Sequence, residues 1–424
     1  MKKFTKILLI GCLLVTVSCN NWLDVDPKSQ VKDKDLFASE MGFKEALSGV
    51  YSLMTKEALY GKELTFGWLG VLGQEWTSVP YNYEDDQKYD FENAASEVRI
   101  DSVWTGLYNA IANANKLLKE LEGKENLFSG DNYSIIKGEV LALRAYLHFD
   151  LLRIFGASCA VGMERIAIPY VTEYAPTIFP QEKVGDFVGK VLKDLQDAAK
   201  CLENDPILTG RTVSEIDDNG YLMNRQVHLN YYAVKGLMAR VYLYKGDYAN
   251  AEVCAKEVIG SGCFEWVKQE NLTNESVADL TFSTEHLFAL NIVTLGNIVD
   301  KYLDGGNNSF ALEESRLSEY YGSSYDYRYL YLFKTGVGMS NTLRYLKKYD
   351  QLESVSWAQS YRNKLPLICL PEMYYILAEC RYHSSGDVLE PLNEVCRHRG
   401  VADLSEADLS AFETLLWLST VKKS

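Results

Sequence analysis

The chain has 424 residues, with 58 acidic and 43 basic side chains and a formal net charge of -15. This balance disfavours nucleic acid and anionic surfaces as partners and suits a neutral or cationic ligand. Its nine cysteines show no C-x-x-C spacing, which argues against a disulfide framework and a zinc site.

Lys2, Lys3 and Lys6 precede an apolar run, Ile7 to Val17, broken only by Gly11 and Thr16. The run is shorter than the ~20 apolar residues of a spanning helix, so it predicts an export signal and not an anchor helix. Thr16-Val17-Ser18-Cys19 resembles the bacterial lipobox, in which the cysteine thiol is acylated and becomes the new N-terminus. Residues 1–18 are expected to be removed, leaving a chain tethered through lipidated Cys19. An ordinary signal peptide with an accidental cysteine is the alternative, and the polar Asn20-Asn21 directly after it favours the lipobox. Loss of the three lysines takes the charge from -15 to -18 and leaves 406 of 424 residues, enough for one large domain or two ordinary ones.

Helical periodicity dominates the chain beyond the leader. Asp35 to Met54 carries apolar residues at Phe37, Met41, Ala46, Val50 and Leu53, with Gly49 marking an expected close approach. Leu107, Ile111, Ala114, Leu118 and Leu121 predict a longer helix, and Ile136, Val140, Leu143, Leu147, Leu151 and Ile154 predict its antiparallel partner, stopped at Gly156. Val184, Val188, Val191, Leu195, Ala199 and Leu202 predict another, closed by Asp205-Pro206. Asn230 to Lys245 leads into the sharpest local motif. Ala239, Tyr242, Gly246-Asp247-Tyr248 and Ala251 match the tetratricopeptide pattern of a small residue, an aromatic, a tight turn and a second small residue. Pro371 to His383, Ser384-Ser385-Gly386-Asp387 and Val388 to Arg399 give a looser version.

Two stretches show no sustained helical period, Tyr60 to Ile100 and Ser261 to Leu365, and His286 to Leu290 is the clearest strand-like run. Long aromatic-rich insertions between helical pairs are where function usually sits. The 29 tyrosines, against 16 phenylalanines, suit half-wet surfaces, either stacking on sugar rings or packing at the rim of helices with the hydroxyl outward.

Several segments, in order, resemble a known family. Cys19 with Trp22-Leu23-Asp24 and Pro27, then Phe43 to Tyr51, resembles the N-terminus of SusD/RagB-type outer-membrane lipoproteins. Trp104 to Leu118, then Arg144-Ala145-Tyr146-Leu147-His148-Phe149 with Arg153-Ile154-Phe155-Gly156, are similar to its next helices. Ser283 to Phe288, Leu370 to Glu379 and Asn393 to Gly400 continue in family order. The resemblance implies a mostly α fold, with tetratricopeptide-like helical pairs forming a superhelical body that carries irregular loop and short-strand insertions. It implies one domain over residues 19–424, with scaffold at about 35–60, 101–260 and 368–415 and ligand-side insertions at about 60–100 and 261–365. It further implies a glycan-binding, non-catalytic lipoprotein of the outer membrane, surface-exposed, that delivers oligosaccharides to a SusC-like TonB-dependent transporter. Where family members continue into a Glu-Arg box and a Gly-rich aromatic segment, this chain ends at Leu415 to Ser424, which suggests a C-terminal truncation and lower stability than a longer relative.

No enzyme motif is expected to operate. Gly156-Ala157-Ser158-Cys159-Ala160 lacks the final glycine of a nucleophile elbow, and Gly336-Val337-Gly338 has no strand-turn-helix context. The five histidines have no metal-ligand spacing, and His148, beside an apolar stripe, reads as a packed core residue. Glu84-Asp85-Asp86 reads as a solvated acidic run and not a metal site. No cofactor is expected. Glycan binding needs flat aromatic faces with polar groups at their edges. The candidates are Trp76, Tyr81, Asn82 and Tyr83 in the first insertion, and Tyr321, Tyr325, Tyr327 and Arg328 in the second. At ~1 kcal/mol per stacked ring, three or four rings with hydrogen bonds give millimolar to micromolar affinity, suited to capture and release. A binding protein for another solute such as cationic peptides, or a ligand-free helical adaptor, are the alternative readings.

Overall fold

The apolar stripes fold as helices, and each helix packs on the next in sequence. The computed structural model describes residues 33–410 apart from 215–216, 275–276, 307, 323, 336–341 and 352–360. The leader, Cys19, Gly336-Val337-Gly338 and the tail at Leu415 to Ser424 therefore lie outside the described residues. Eight helices form the body: α1 (Glu40–Met54), α2 (Ala94–Leu121), α3 (Asn132–Phe155), α4 (Val184–Cys201), α5 (Tyr231–Lys245), α6 (Tyr248–Ile259), α7 (Leu370–His383) and α8 (Leu389–Arg397). Every consecutive pair from α1·α2 to α7·α8 is in contact, which is the nearest-neighbour stacking of a tetratricopeptide-like superhelix. None of the described helices is long and apolar enough to cross a membrane.

Local chemistry sets the helix ends. Asn93 caps α2 by accepting from the Ala95 and Ser96 amides, both at 3.0 Å. Asn230 caps α5 through the Ala233 amide at 2.9 Å, while its Nδ2 donates to the Leu287 carbonyl at 2.8 Å and so fixes a strand against the helix. Gly246 closes α5 at φ +80°, a conformation that disfavours side chains, and Asp247 then accepts from the Asn250 amide to start α6. The small residues of this turn, Ala239 and Ala251, are both fully buried, as the repeat pattern requires.

Three expectations change in detail. The buried face of α1 is Phe43, Leu47, Val50 and Met54, which keeps Val50 from the stripe read along the sequence but replaces Ala46 and Leu53 by their next neighbours and exposes Met41. Gly49 has open space around it. The close approach falls at Gly42, where a Cβ would collide with the Leu36 carbonyl. Helix α2 begins at Ala94, inside the stretch read as aperiodic, because its first inward positions are the polar Ser96 and Arg99, and the apolar stripe starts only at Val103.

The two insertions fold onto each other. Strands β1 (His286–Asn291), β2 (Leu312–Glu313), β3 (Phe333–Thr335), β4 (Leu343–Leu346) and β5 (Lys364–Cys369) form an antiparallel β1-β5 pair and a three-stranded sheet in the order β2-β4-β3. Leu290 faces Leu365 in the pair, and Phe333 faces Leu346 in the sheet. An isolated bridge from Ser78 to Ala311 ties the first insertion to the second. Beside it, fully buried Phe310 is ringed by Phe66, Trp76, Tyr83 and Tyr302, with centroids 5.0 to 6.3 Å away. Such aromatic packing contributes beyond buried area and fixes the insertions as walls.

Candidate functional site

The walls enclose a cleft of about 620 Å³ where both insertions meet the helical body. The first insertion supplies Tyr60, Phe66, Leu69, Glu75 and Trp76, and the second supplies Tyr320, Tyr321, Arg328, Phe333, Lys348 and Tyr349. The helices supply Tyr146, Asp150 and Arg153 from α3, Arg240 from α5 and Glu372 from α7. Rings therefore line the walls, and charged groups project from the body between them.

The charges on the helical side are held in place. Tyr60 Oη donates to Asp150 Oδ2 at 2.6 Å, and Arg153 binds the other oxygen of the same carboxylate. Arg240 donates to both oxygens of Glu372 and, at 2.9 Å, to the Leu367 carbonyl of β5. Burial raises the Tyr60 hydroxyl well above the usual phenol range, and the Asp150 charge beside it adds to the shift, so Tyr60 stays a proton donor. Arg328 is held by Asp326 through Nε at 3.0 Å and Nη2 at 2.7 Å. Burial likewise raises the carboxyl of Glu75.

The expected site residues divide. Trp76, Tyr321 and Arg328 come together in the cleft. Trp76 is 5% exposed and its Nε1 donates to the Phe66 carbonyl at 2.7 Å, so one edge of the indole is fixed. Gly70 makes room for that edge, since a Cβ there would lie 2.7 Å from Nε1. Tyr83 is 1% exposed, donates to Glu63 Oε1 at 2.7 Å and is covered by the Arg99 guanidinium 3.8 Å from its ring centroid. Tyr81, at 85% exposure, and Asn82, whose carbonyl accepts from Arg99 at 3.0 Å, lie outside the cleft lining. Tyr325, 75% exposed, and Tyr327, whose ring packs on Tyr331, also lie outside it.

The acidic run Glu84-Asp85-Asp86 is a correction to the solvated reading. Its third carboxylate is fully buried, pairs with Arg99 and accepts from Trp68 Nε1 at 3.0 Å, because the short helix Glu84–Gln87 turns it inward. His148 is a core residue, as expected. Its Nδ1 bonds the Arg144 carbonyl at 2.8 Å, its Nε2 accepts from the Val171 amide at 2.9 Å, and its ring stacks on Tyr170. Sequence reasoning missed Tyr320, Lys348, Tyr349, Glu75 and Arg240. Arg153 falls within a segment that resembles the family, but the others carry no local pattern.

Asp150 and Glu372 are each bound to an arginine, which ties up two of the three lining carboxylates, and Glu75 is the third. Among the described residues no group of histidine, cysteine and carboxylate side chains is placed to hold a metal.

Comparison with known proteins gives the fold a family. A SusD-like family profile, described as starch-binding associating with outer membrane, matches residues 21–243. SusD-like protein P38 of Formosa agariphila is 24% identical over 269 residues, 62% of this chain and 47% of that protein. SusD-like protein P25 of the same organism is 24% identical over 166 residues, 37% of this chain and 31% of that protein. The chain thus spans about half the length, or less, of the curated relatives it matches. Among solved structures, a SusD-like carbohydrate binding protein from Bacteroides vulgatus superposes with a TM-score of 0.68 at 16% identity, covering 91% of this chain and 80% of that one. A SusD superfamily protein from Bacteroides thetaiotaomicron gives 0.66 at 20% identity, covering 85% and 81%. Surface glycan-binding protein A from Bacteroides uniformis gives 0.64 at 17% identity, covering 86% and 82%. With the profile matching more than half its length and the helical superhelix matching the superfamily, the chain belongs to the SusD-like family.

Proposed function

We propose that the protein is a glycan-binding lipoprotein, tethered at the outer membrane through Cys19, that captures oligosaccharides and hands them to a SusC-like TonB-dependent transporter without altering them. The observation that carries this reading is the convergence of aromatic rings from both insertions on one cleft whose edges hold fixed charged groups. Flat apolar faces with hydrogen-bonding groups at their edges match the two faces of a pyranose. Trp76, Tyr321 and Arg328 are offered as glycan contacts, joined by Tyr320 and Tyr349. Tyr81, Asn82, Tyr83, Tyr325 and Tyr327 have no part in the cleft lining, and a role for them would need a second contact surface along a longer polymer. The family's description as starch-binding and outer-membrane-associated supports both the ligand class and the location.

Two experiments separate the parts of the proposal. Affinity electrophoresis of the wild-type protein through gels containing different polysaccharides should retard it in at least one of them, and unchanged mobility in all would remove the glycan reading. Pull-down from detergent-solubilised outer membrane should recover a large β-barrel protein, and membrane fractionation of Cys19→Ala should release the chain. Recovery of no barrel, or full membrane retention of that variant, would remove the transporter or the tether respectively.

A further inference from the structure

Resting on the glycan reading, one charge in the cleft narrows the kind of sugar. The three lining arginines each hold a carboxylate: Arg153 with Asp150, Arg240 with Glu372 and Arg328 with Asp326. Lys348, which lines the same cleft, has no hydrogen bond or ion pair among the described residues, and its ammonium sits 5.6 Å from the Tyr349 ring centroid. Glu75 is the one lining carboxylate without an arginine, and it remains within electrostatic reach of Lys348 without forming an ion pair among the described residues. With Asp326, which holds Arg328, the lining and its ion-pair partners carry four cations and four carboxylates, whereas the whole chain carries 43 basic and 58 acidic side chains. The cleft is therefore charge-balanced on an acidic protein, and Lys348 is the lining cation not tied to an acid among the described residues.

We infer that the glycan carries an anionic group, a carboxylate or a sulfate ester, received by Lys348 at the edge of the aromatic cleft. An ammonium partly removed from water gains most from a ligand oxygen that is itself charged, because that bond is charge-assisted on both sides, whereas a hydroxyl offers one dipole. The half-exposed guanidinium groups of Arg153 and Arg328 line the same cleft, each tied to its own acid, so they can donate to a ligand oxygen without adding net charge. The opposing group is Glu75, whose charge would repel an anionic sugar. The sign of the effect is thus opposite at the two residues, which a purely structural role for either would not produce.

The test uses two matched pairs of linear oligosaccharides: trigalacturonate with its methyl ester, and a sulfated galactan trisaccharide with its desulfated form. Calorimetry at low salt reads the acid-to-neutral affinity ratio within each pair. At least one pair should favour the acid by about tenfold, with the preference falling as salt rises. Whichever pair shows it identifies the carboxylate or the sulfate as the anion. Lys348→Gln should bring that ratio towards one, and Glu75→Gln should raise it. Neutral members binding as well as their acids, with ratios unmoved by either substitution, would overturn the inference while the glycan reading stands. No binding by any member, together with no retardation in any polysaccharide gel, would overturn both.

Discussion

Arg240 on α5 grips Glu372 on α7 with two bonds, Nε to Oε1 at 2.5 Å and Nη2 to Oε2 at 2.7 Å, in the lining of the cleft. The pair joins the helical body to the insertion that β5 closes, because Arg240 Nη2 also donates to the Leu367 carbonyl at 2.9 Å. Glu372→Gln keeps the shape and removes the counter-charge, leaving a largely buried guanidinium uncompensated. It should lower stability by about 2 kcal/mol, as hydrogen bonds to charged groups do, read as a fall in urea midpoint at unchanged slope.

Acid should weaken the protein well before Glu139 titrates. Burial lowers the His148 imidazole to about 3 and the His286 imidazole to about 4. At His148 the geometry agrees, since Nε2 accepts the Val171 amide and a proton there would face that donor. Both folded values lie below the unfolded value of about 6.5, so the stabilisation is complete above that pH and is lost as pH falls towards the folded values. Between neutral pH and ~pH 5 each histidine should remove about 2 kcal/mol, and urea unfolding at the two pH values measures the sum. At Glu139 burial alone would raise the carboxyl, but His228 and Arg225 bring it down to about 2. Its contribution is present above about pH 4.5 and disappears only as pH falls towards 2.

Trp76 is a wall before it is a contact. With one edge bonded to Phe66 and its ring against Phe310, Trp76→Ala should cost about 3 to 5 kcal/mol, visible in thermal melting without any ligand. A glycan defect in that variant alone would not separate wall from ligand contact, whereas Tyr320 is 47% exposed and can be truncated with little loss of core.

The sequence was most readable where one face of a helix is buried. Val184, Val188, Val191 and Leu195 are all fully buried in α4, at the spacing that predicted the helix. The signal failed at α1, where apolar residues on two faces left the inward one undecided, and at the start of α2, where Arg99 points inward to pair with Asp86. In choosing the residues of the cleft it failed for a different reason. Tyr81 and Tyr83 share one short turn, Tyr81–Tyr83, yet one is 85% exposed and the other 1%. No period relates residues in such a turn to an interior, and composition cannot say which tyrosine faces a ligand. Lys348 and Glu75 were invisible altogether, because their meaning comes from having no ion pair among the described residues, which only the fold shows.

If rings from the two insertions hold a sugar in one cleft, removing two of them must weaken binding. Calorimetric titration of the wild type and the double variant Tyr320→Ala, Tyr321→Ala with an oligosaccharide that retards the wild type in gels tests it most directly. Wild-type binding should be micromolar to millimolar and weaken by about tenfold or more in the double variant, at ~1 kcal/mol for each lost ring. Equal affinity for the two proteins, with melting temperatures also equal, would contradict it.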